Sequence, residues 1–453
     1  MTEPSAKRKP GTLPGVPVSC IVHPAEGIAG SISVPGDKSI SHRVGMIAGL
    51  ASGISVVKNY LKSEDCISTL RAMEALGART YALETGELQI EGNGGRMMQP
   101  AGMLDVGNSG TTIRLLSGLL AGQSLDVELT GDESLRNRPM KRIKEPLEKM
   151  GAKITLTGEK ETAPIRIQGG HLKAIDYLLP MASAQVKSCL LLAGLYAEGK
   201  MIITEPAQTR DHTERLFKTM GIPVDVRGLQ LHMDGLGPKG PSLDARTFAI
   251  PGDFSSAAFW LVAAAARPGQ TVTIRNVGLN PRRTALLDVL KRAGATVSIS
   301  SSREDDLVEE AGDITVTGAE LTGVTVEGDE IPNLIDELPI VAVLGALASG
   351  KTEIRDAAEL RVKESDRIQC MAENLVKMGV KIEEKPDGMI IEPPGELIPQ
   401  AGLRSYGDHR IAMSMAVLAL FAKEPVVIHN IACVDTSYPE FWSHMEALGG
   451  HVG

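Results

Sequence analysis

Ile32-Ser33-Val34-Pro35-Gly36-Asp37-Lys38-Ser39 and Thr247-Phe248-Ala249-Ile250-Pro251-Gly252-Asp253-Phe254 are one phrase written twice: a stretch of strand character, a Pro-Gly-Asp triplet, then the start of a helical run. The two triplets lie 216 residues apart. A second recurrence runs through the chain at closer spacing. Six times a helical pattern ends in an apolar residue and a glycine, and a strand pattern follows: Leu76-Gly77, Met150-Gly151, Met220-Gly221, Ala293-Gly294, Met378-Gly379 and Leu448-Gly449. Successive glycines are 70 to 85 residues apart. Each reads as the left-handed residue that ends a helix, a conformation glycine adopts without a Cβ clash.

The six intervals share an internal order, βαβαββ. In the first, Ile28–Val34 reads as a strand, Ser39–Ala51 as a helix, Ile54–Asn59 as a strand and Glu64–Leu76 as a helix, with short strands near Ala78–Ala82 and Glu87–Glu91. Long units in two halves that begin alike fit two three-unit α/β domains better than a solenoid, which needs short units and polar end caps. The repeated phrase then marks two crossings between domains. Residues 36–252 form one domain, and 1–35 with 253–453 form the other. Pro4, Pro10, Pro14 and Pro17 make 1–18 read as a frayed tail. Ser255–Ala266, apolar on most faces, is expected among other helices. A cleft between the domains is the natural ligand site.

Composition narrows the function. The chain has 453 residues, 43% hydrophobic and 23% charged, as an ordinary soluble globular protein does. With two Trp, six Tyr and six Phe, its cores must be aliphatic. A net charge of −9 argues against a nucleic-acid-binding face. The five cysteines are far apart with no C-x-x-C pair, which excludes a disulfide framework or zinc ribbon and points to a reducing, cytoplasmic compartment. Apolar runs such as Ala257–Ala266 and Ile340–Ala348 fall short of the ~20 residues that span a bilayer. Lys7-Arg8-Lys9 has no apolar stretch behind it, unlike a secretory signal.

This acidic chain nonetheless places cations at turn-to-helix junctions. Lys38 and Arg43 lie in Gly36–Arg43, Arg138 in Arg136-Asn137-Arg138-Pro139, and Arg210 in Arg210-Asp211-His212-Thr213-Glu214. Lys363 and Arg367 lie in Arg361-Val362-Lys363-Glu364-Ser365-Asp366-Arg367, and Arg410 in Asp408-His409-Arg410. Helix N-termini and guanidinium groups both hold anions. Gly107–Arg114 sets two glycines and three hydroxyls before an apolar helix, with a Thr as its expected N-cap, and Pro139 is expected to initiate a helix. Ser183-Ala184-Gln185-Val186-Lys187-Ser188 offers neutral hydrogen bonds. Taken singly, each segment is as readily a capped helix start or a self-paired surface charge cluster. Together they predict a cleft for one or two small polyanions. Asp336-Glu337 lies in the apolar run Ile331–Ala348. Desolvation there should raise a carboxyl pKa and suit it to proton transfer; the alternative is an N-cap for a helix from Pro339. His212 reads as a cap or core partner rather than a base.

The six-unit order, Gly36–Arg43, Asn108–Arg114, Arg361–Arg367 and Asp408–Arg410 closely resemble the 5-enolpyruvylshikimate-3-phosphate synthase family, and Ser183–Lys187 with Arg210–Glu214 resemble its bacterial class II branch. The resemblance covers the chain from about Ile28 onward. It implies the inside-out α/β fold and transfer of enolpyruvyl from phosphoenolpyruvate to shikimate 3-phosphate, by a monomer without metal or organic cofactor. It implies that Lys38 touches both substrates. Ser39, Arg43, Ser183, Ala184, Gln185, Arg210, Asp336 and Lys363 would hold shikimate 3-phosphate. Gly110, Arg138, Gln185, Arg367 and Arg410 would hold phosphoenolpyruvate, in whose place the inhibitor glyphosate would sit. Asp336 would take the hydroxyl proton, and Glu364 with Lys38 would manage the methylene proton. The sister enzyme acting on UDP-N-acetylglucosamine relies on a loop Cys, and Gly131–Pro139 has none. Many family members carry a Lys in the last loop, which Ile431–Pro439 lacks here, as the class II branch often does.

Overall fold

A computed structural model describes residues 19–301 and 306–453; the tail expected over 1–18 lies outside the described residues. Among the described residues the strands form six four-stranded sheets and one two-stranded ladder. All six sheets have one topology: an edge strand parallel to the second, the second antiparallel to the third, and the third antiparallel to the fourth. In the first sheet Thr247–Ala249 runs parallel to Ile54–Lys58, which pairs with Leu88–Glu91, which pairs with Arg79–Ala82. The fourth repeats this with Gly30–Ser33, Thr271–Gly278, Ala311–Thr317 and Thr296–Ser301. The sixth takes its third strand from Ser19–His23, an element the sequence pattern did not announce.

The edge strands show what the repeated phrase does. The strand read at Ile28–Val34 is Gly30–Ser33, and it lies in the sheet of the fourth unit. Thr247–Ala249 lies in the sheet of the first. The chain crosses between halves just after each strand. There the two triplets clasp: the Asp37 N–H donates to the Pro251 carbonyl at 2.8 Å, and the Asp253 N–H donates to the Pro35 carbonyl at 2.8 Å. Gly36 is required by space, since a Cβ there would sit 1.9 Å from the Asn59 carbonyl oxygen. The six recurring glycines have φ between +74° and +114°, the left-handed helix ends expected of them.

Apolar side chains collect in two cores. One gathers Ile40 through Ile250 with Val308; the other gathers Cys20 through Val34 with Phe254 through Leu448. Helices fill the inside and sheets face outward. Phe254–Ala265 is buried along its whole length, packed against Leu338–Leu347 and His409–Ala419. Lys38–Leu50, Gly110–Ala121 and Ala184–Gly194 are buried beyond their first turns in the other half. A helix with no polar face can go nowhere but among other helices. The fold is therefore an inside-out α/β fold of two three-unit domains. No helix among the described residues is long and apolar enough to cross a membrane.

Candidate active site

The six buried helices begin at one place. The first turns at Lys38, Gly110, Ala184 and His409 line a cleft of about 360 Å³ between the halves, and Asp253 and Asp336, just ahead of the helices at Phe254 and Leu338, complete its wall. Most are capped by their own sequence: Asp37 accepts from the Ile40 N–H, Ser109 from Thr112, Ser183 from Val186, Asp253 from Ser255 and Asp408 from Arg410. Several helix N-termini converging on one cavity make a positive field there before any side chain is counted. The cap before Gly110 is Ser109, not a Thr. Pro139 also stands outside its helix, which starts at Lys141.

Each residue named from the sequence lines this cleft: Lys38, Ser39, Arg43, Gly110, Arg138, Ser183, Ala184, Gln185 and Arg210 from the first half, and Asp336, Lys363, Glu364, Arg367 and Arg410 from the second. Arg43 is fixed by neutral groups, donating to Thr213 Oγ1 at 2.8 Å, Ser188 Oγ at 2.7 Å and the Ser39 carbonyl at 2.8 Å. Arg138 donates to Asn108 Oδ1 at 2.6 Å. Gln185 accepts from Arg114 at 2.6 Å and donates to Thr111 at 3.1 Å. On the other wall Arg367 pairs with Asp408 at 2.8 Å, Glu364 at 2.5 Å and Asp336 at 3.2 Å. Three ion pairs span the cleft: Arg210–Asp336 at 2.6 Å, Arg142–Glu359 at 2.9 Å and Arg138–Glu364 at 3.5 Å.

The electrostatics correct one expectation. Burial does oppose ionisation of Asp336, but Arg210, Arg410, Lys363 and Arg367 together outweigh it and hold the carboxyl well below its ordinary range. The apolar run around Asp336 predicts the burial and not the four cations brought by distant segments. Glu364 behaves alike: burial raises it, while Arg367, Arg138, His409 and Lys363 bring it well down. Burial lowers Lys363 and takes Arg43 down to about 10. The N-cap alternative for Asp336-Glu337 holds in position only: Glu337 stands at the N-cap of Leu338–Leu347 without a side-chain cap bond, while Asp336 lines the cleft. His212 is the buried partner the sequence suggested, 2.6 Å from Glu309.

Other lining residues were given no role from the sequence. Arg114 lies one helical turn beyond Gly110, a spacing that could have flagged it, and Arg142 stands in the first turn of Lys141–Met150. Burial takes Arg114 down to about 9. Asp65 pairs with Lys38, and His409 lines the same cleft. Asp65 gave no signal, because an acidic first helical turn looks like ordinary dipole compensation. The segment Arg361–Arg367 divides in two. Arg361 turns outward to Asp366 at 2.8 Å and Glu384 at 2.9 Å, the self-paired surface cluster, while Lys363, Glu364 and Arg367 face the cleft. No group of three or more His, Cys, Asp or Glu that could hold a metal ion occurs among the described residues.

Comparison with known proteins returns one family. Residues 22–445 match the family model described as EPSP synthase (3-phosphoshikimate 1-carboxyvinyltransferase). A protein of Akkermansia muciniphila named 3-phosphoshikimate 1-carboxyvinyltransferase is 49% identical over 92% of this chain and 97% of its own. One of the same name from Desulforamulus reducens is 47% identical over 93% and 97%. The solved EPSP synthase of Acinetobacter baumannii superposes with a TM-score of 0.82 at 42% identity, covering 96% of this chain and 99% of that one. The enolpyruvyl transferase NikO from Streptomyces tendae, at 17% identity and a TM-score of 0.78 over 96% and 98%, shares the fold.

Proposed function

The chain belongs to the EPSP synthase (3-phosphoshikimate 1-carboxyvinyltransferase) family, and from that premise we propose how its cleft works. It transfers the enolpyruvyl group of phosphoenolpyruvate to the 5-hydroxyl of shikimate 3-phosphate and releases phosphate, in the shikimate pathway of aromatic amino acid biosynthesis. The observation that carries the reading is one cavity ringed by Lys38, Arg43, Arg138, Arg210, Lys363, Arg367 and Arg410, with Asp336 and Glu364 among them.

Arg43, Arg210 and Lys363, with Ser39, Ser183, Ala184 and Gln185, hold shikimate 3-phosphate. Arg138, Arg367 and Arg410, with the Gly110 backbone and Gln185, hold phosphoenolpyruvate, and Lys38 reaches both. The two carboxylates pair with cations that the substrates need, Asp336 with Arg210 and Arg367, and Glu364 with Arg367 and Arg138. Incoming phosphate and carboxylate groups draw Arg210, Arg367 and Arg138 toward themselves, and the pKa of Asp336 and Glu364 then rises toward the working range. Asp336 takes the proton of the 5-hydroxyl as the hydroxyl oxygen attacks C2 of phosphoenolpyruvate, the carbon that bears the phosphate ester. Glu364, with Lys38, delivers a proton to the methylene carbon and takes one back as phosphate leaves and the double bond re-forms. Closure of the two domains, 36–252 and 1–35 with 253–453, turns on the Pro35/Pro251 clasp and excludes water during these steps.

The same reading has the chain acting as a cytoplasmic monomer of the class II branch, inhibited by glyphosate in the phosphoenolpyruvate position. Four of its five cysteines are buried as free thiols, as suits a reducing compartment. The test is phosphate release that depends on both substrates. Binding of both without turnover would leave an anion-binding module on this scaffold.

A further inference from the structure

We propose that Lys187 is a positioning residue for the shikimate 3-phosphate half of the cleft, a reading that rests on the function proposed above. Lys187 does not line the cavity; its side chain is 1% exposed. Its ammonium lies 2.8 Å from Glu214, 3.1 Å from Glu205 and 3.5 Å from the Thr209 carbonyl oxygen. Thr209 in turn donates its hydroxyl to the other oxygen of Glu205. A buried ammonium is tolerated only where such partners replace water, so this geometry is narrowly set.

The three elements meeting at Lys187 are those that present the anion-binding groups. Lys187 stands in the first turn of Ala184–Gly194, two residues after Gln185 and on the helix that presents Ala184 and Gln185 behind the Ser183 cap. Glu214 stands in the first turn of His212–Thr219, whose Thr213 accepts from Arg43 at 2.8 Å and donates to Ser188 at 2.7 Å. Glu205 and Thr209 bracket the loop that ends in Arg210. That guanidinium reaches Asp336 through one nitrogen, while its Nε and Nη2 are buried without a hydrogen-bond partner. Arg210 therefore has little to fix it on its own side of the cleft except the path of its backbone. Lys187 and Glu205 set that path, and Lys187 with Glu214 sets the spacing of the helices behind Arg43.

The test uses Lys187→Met and Glu205→Ala, with titration calorimetry of shikimate 3-phosphate, steady-state kinetics in both substrates, and thermal melting as a check on folding. Misplacement of binding groups by about 1 Å can cost a hundredfold. Lys187→Met is expected to raise the Kd and KM for shikimate 3-phosphate about tenfold or more. The KM for phosphoenolpyruvate and kcat should stay within about twofold. Glu205→Ala should move the same parameters in the same direction. In an Arg210→Gln background the effect of Lys187→Met should shrink, because contacting groups are non-additive. A variant that melts earlier with unchanged shikimate 3-phosphate affinity overturns the positioning role, and so does full additivity with Arg210→Gln. If Lys187→Met does not fold, Glu205→Ala, which keeps the Lys187–Glu214 pair, decides by the same criteria. A wild type that fails to bind shikimate 3-phosphate overturns the functional reading itself; a binding wild type with an unaltered variant overturns only the role of Lys187.

Discussion

Lys38 and Phe254 hold the same place in the two copies of the Pro-Gly-Asp phrase, each directly after an aspartate that caps a buried helix. From there the copies part. The helix after Asp37 turns Lys38, Ser39 and Arg43 to the cleft, whereas the helix after Asp253 keeps every side chain in the core. The repeat carries the fold and the departures from it carry the chemistry. The contrast extends to the two walls of the cleft. On the first wall Arg43 is held by hydroxyls and a carbonyl, and Arg138 by the Asn108 amide oxygen at 2.6 Å, with the carboxylate of Glu364 farther off at 3.5 Å across the cleft. On the second wall Arg367 is surrounded by Asp336, Glu364 and Asp408. On the function proposed above, the first wall would receive negative charge and the second would hold the carboxylates that transfer protons.

The sharpest way to break that division is Asp336→Asn. If the second wall does the proton transfer, this variant should lose turnover by ~10²–10⁴-fold, the usual worth of general base catalysis, while shikimate 3-phosphate still binds. Single-turnover kinetics and equilibrium binding separate the two effects. Turnover within a few-fold of wild type would remove Asp336 from the role.

The division also marks what a sequence can disclose. Scaffold was legible because it repeats: six glycines at left-handed helix ends and two Pro-Gly-Asp triplets fixed the unit count and the crossings. Cations at helix starts were legible because a helix N-terminus is a local feature. The protonation state of Asp336 was not, because it depends on Arg210, Lys363, Arg367 and Arg410, which come from as far as 126 residues away in sequence, at Arg210. Ser19–His23 escaped notice for a related reason, since its strand partners lie at the opposite end of the chain.

Gly110→Ala tests the first wall. Gly110 opens its helix without a positive φ, so backbone strain does not explain the glycine. A Cβ would stand 2.8 Å from Arg138 Nη1 and 3.1 Å from Arg114 Nη1, the movable ends of two long side chains. The methyl group should thus be accommodated by a small retreat of the guanidiniums and a narrower anion pocket. Overpacking of this kind costs ~1–3 kcal/mol, or roughly ten- to a hundredfold in affinity. Glyphosate, longer than phosphoenolpyruvate, should bear most of that loss. Inhibition constants and Michaelis constants for both forms check it. Parallel losses would mean that the methyl acts only by displacing Arg138.

Acid should weaken the second wall selectively. Asp336 and Glu364 have folded-state pKa values depressed below their ordinary carboxyl range. Their contribution to stability is therefore complete above the unfolded-state values near ~4 and lost as pH falls below them toward the folded-state values. The gap in Tm between wild type and an Asp336→Asn, Glu364→Gln double variant should narrow as pH is lowered from about 5 to 3. A gap that holds constant over that range would mean that the two carboxylates stabilise the fold without being ionised.

The smallest expected effect concerns the rim where the walls meet. Arg142–Glu359 crosses the cleft at 2.9 Å, but Glu359 is 35% exposed and the pair is open to screening. Such pairs are worth ~0.2–1 kcal/mol. Glu359→Gln should leave kcat unchanged, because neither group belongs to the proton path, and should raise both Michaelis constants by less than about fivefold. The physical reason is closure. With one cross-cleft tie removed, the substrate-free enzyme should spend more time open, and each substrate must then supply more of the free energy that brings the halves together. Small-angle scattering gives the direct readout: the variant's radius of gyration without ligand should exceed that of wild type, and shikimate 3-phosphate should bring the two to the same value. Added salt should move wild type toward the variant by screening the exposed pair. Equal radii at low salt would assign the hold between the walls to the ties that remain, which include Arg210–Asp336, Arg138–Glu364 and the bond from Lys38 Nζ to the Thr436 carbonyl oxygen.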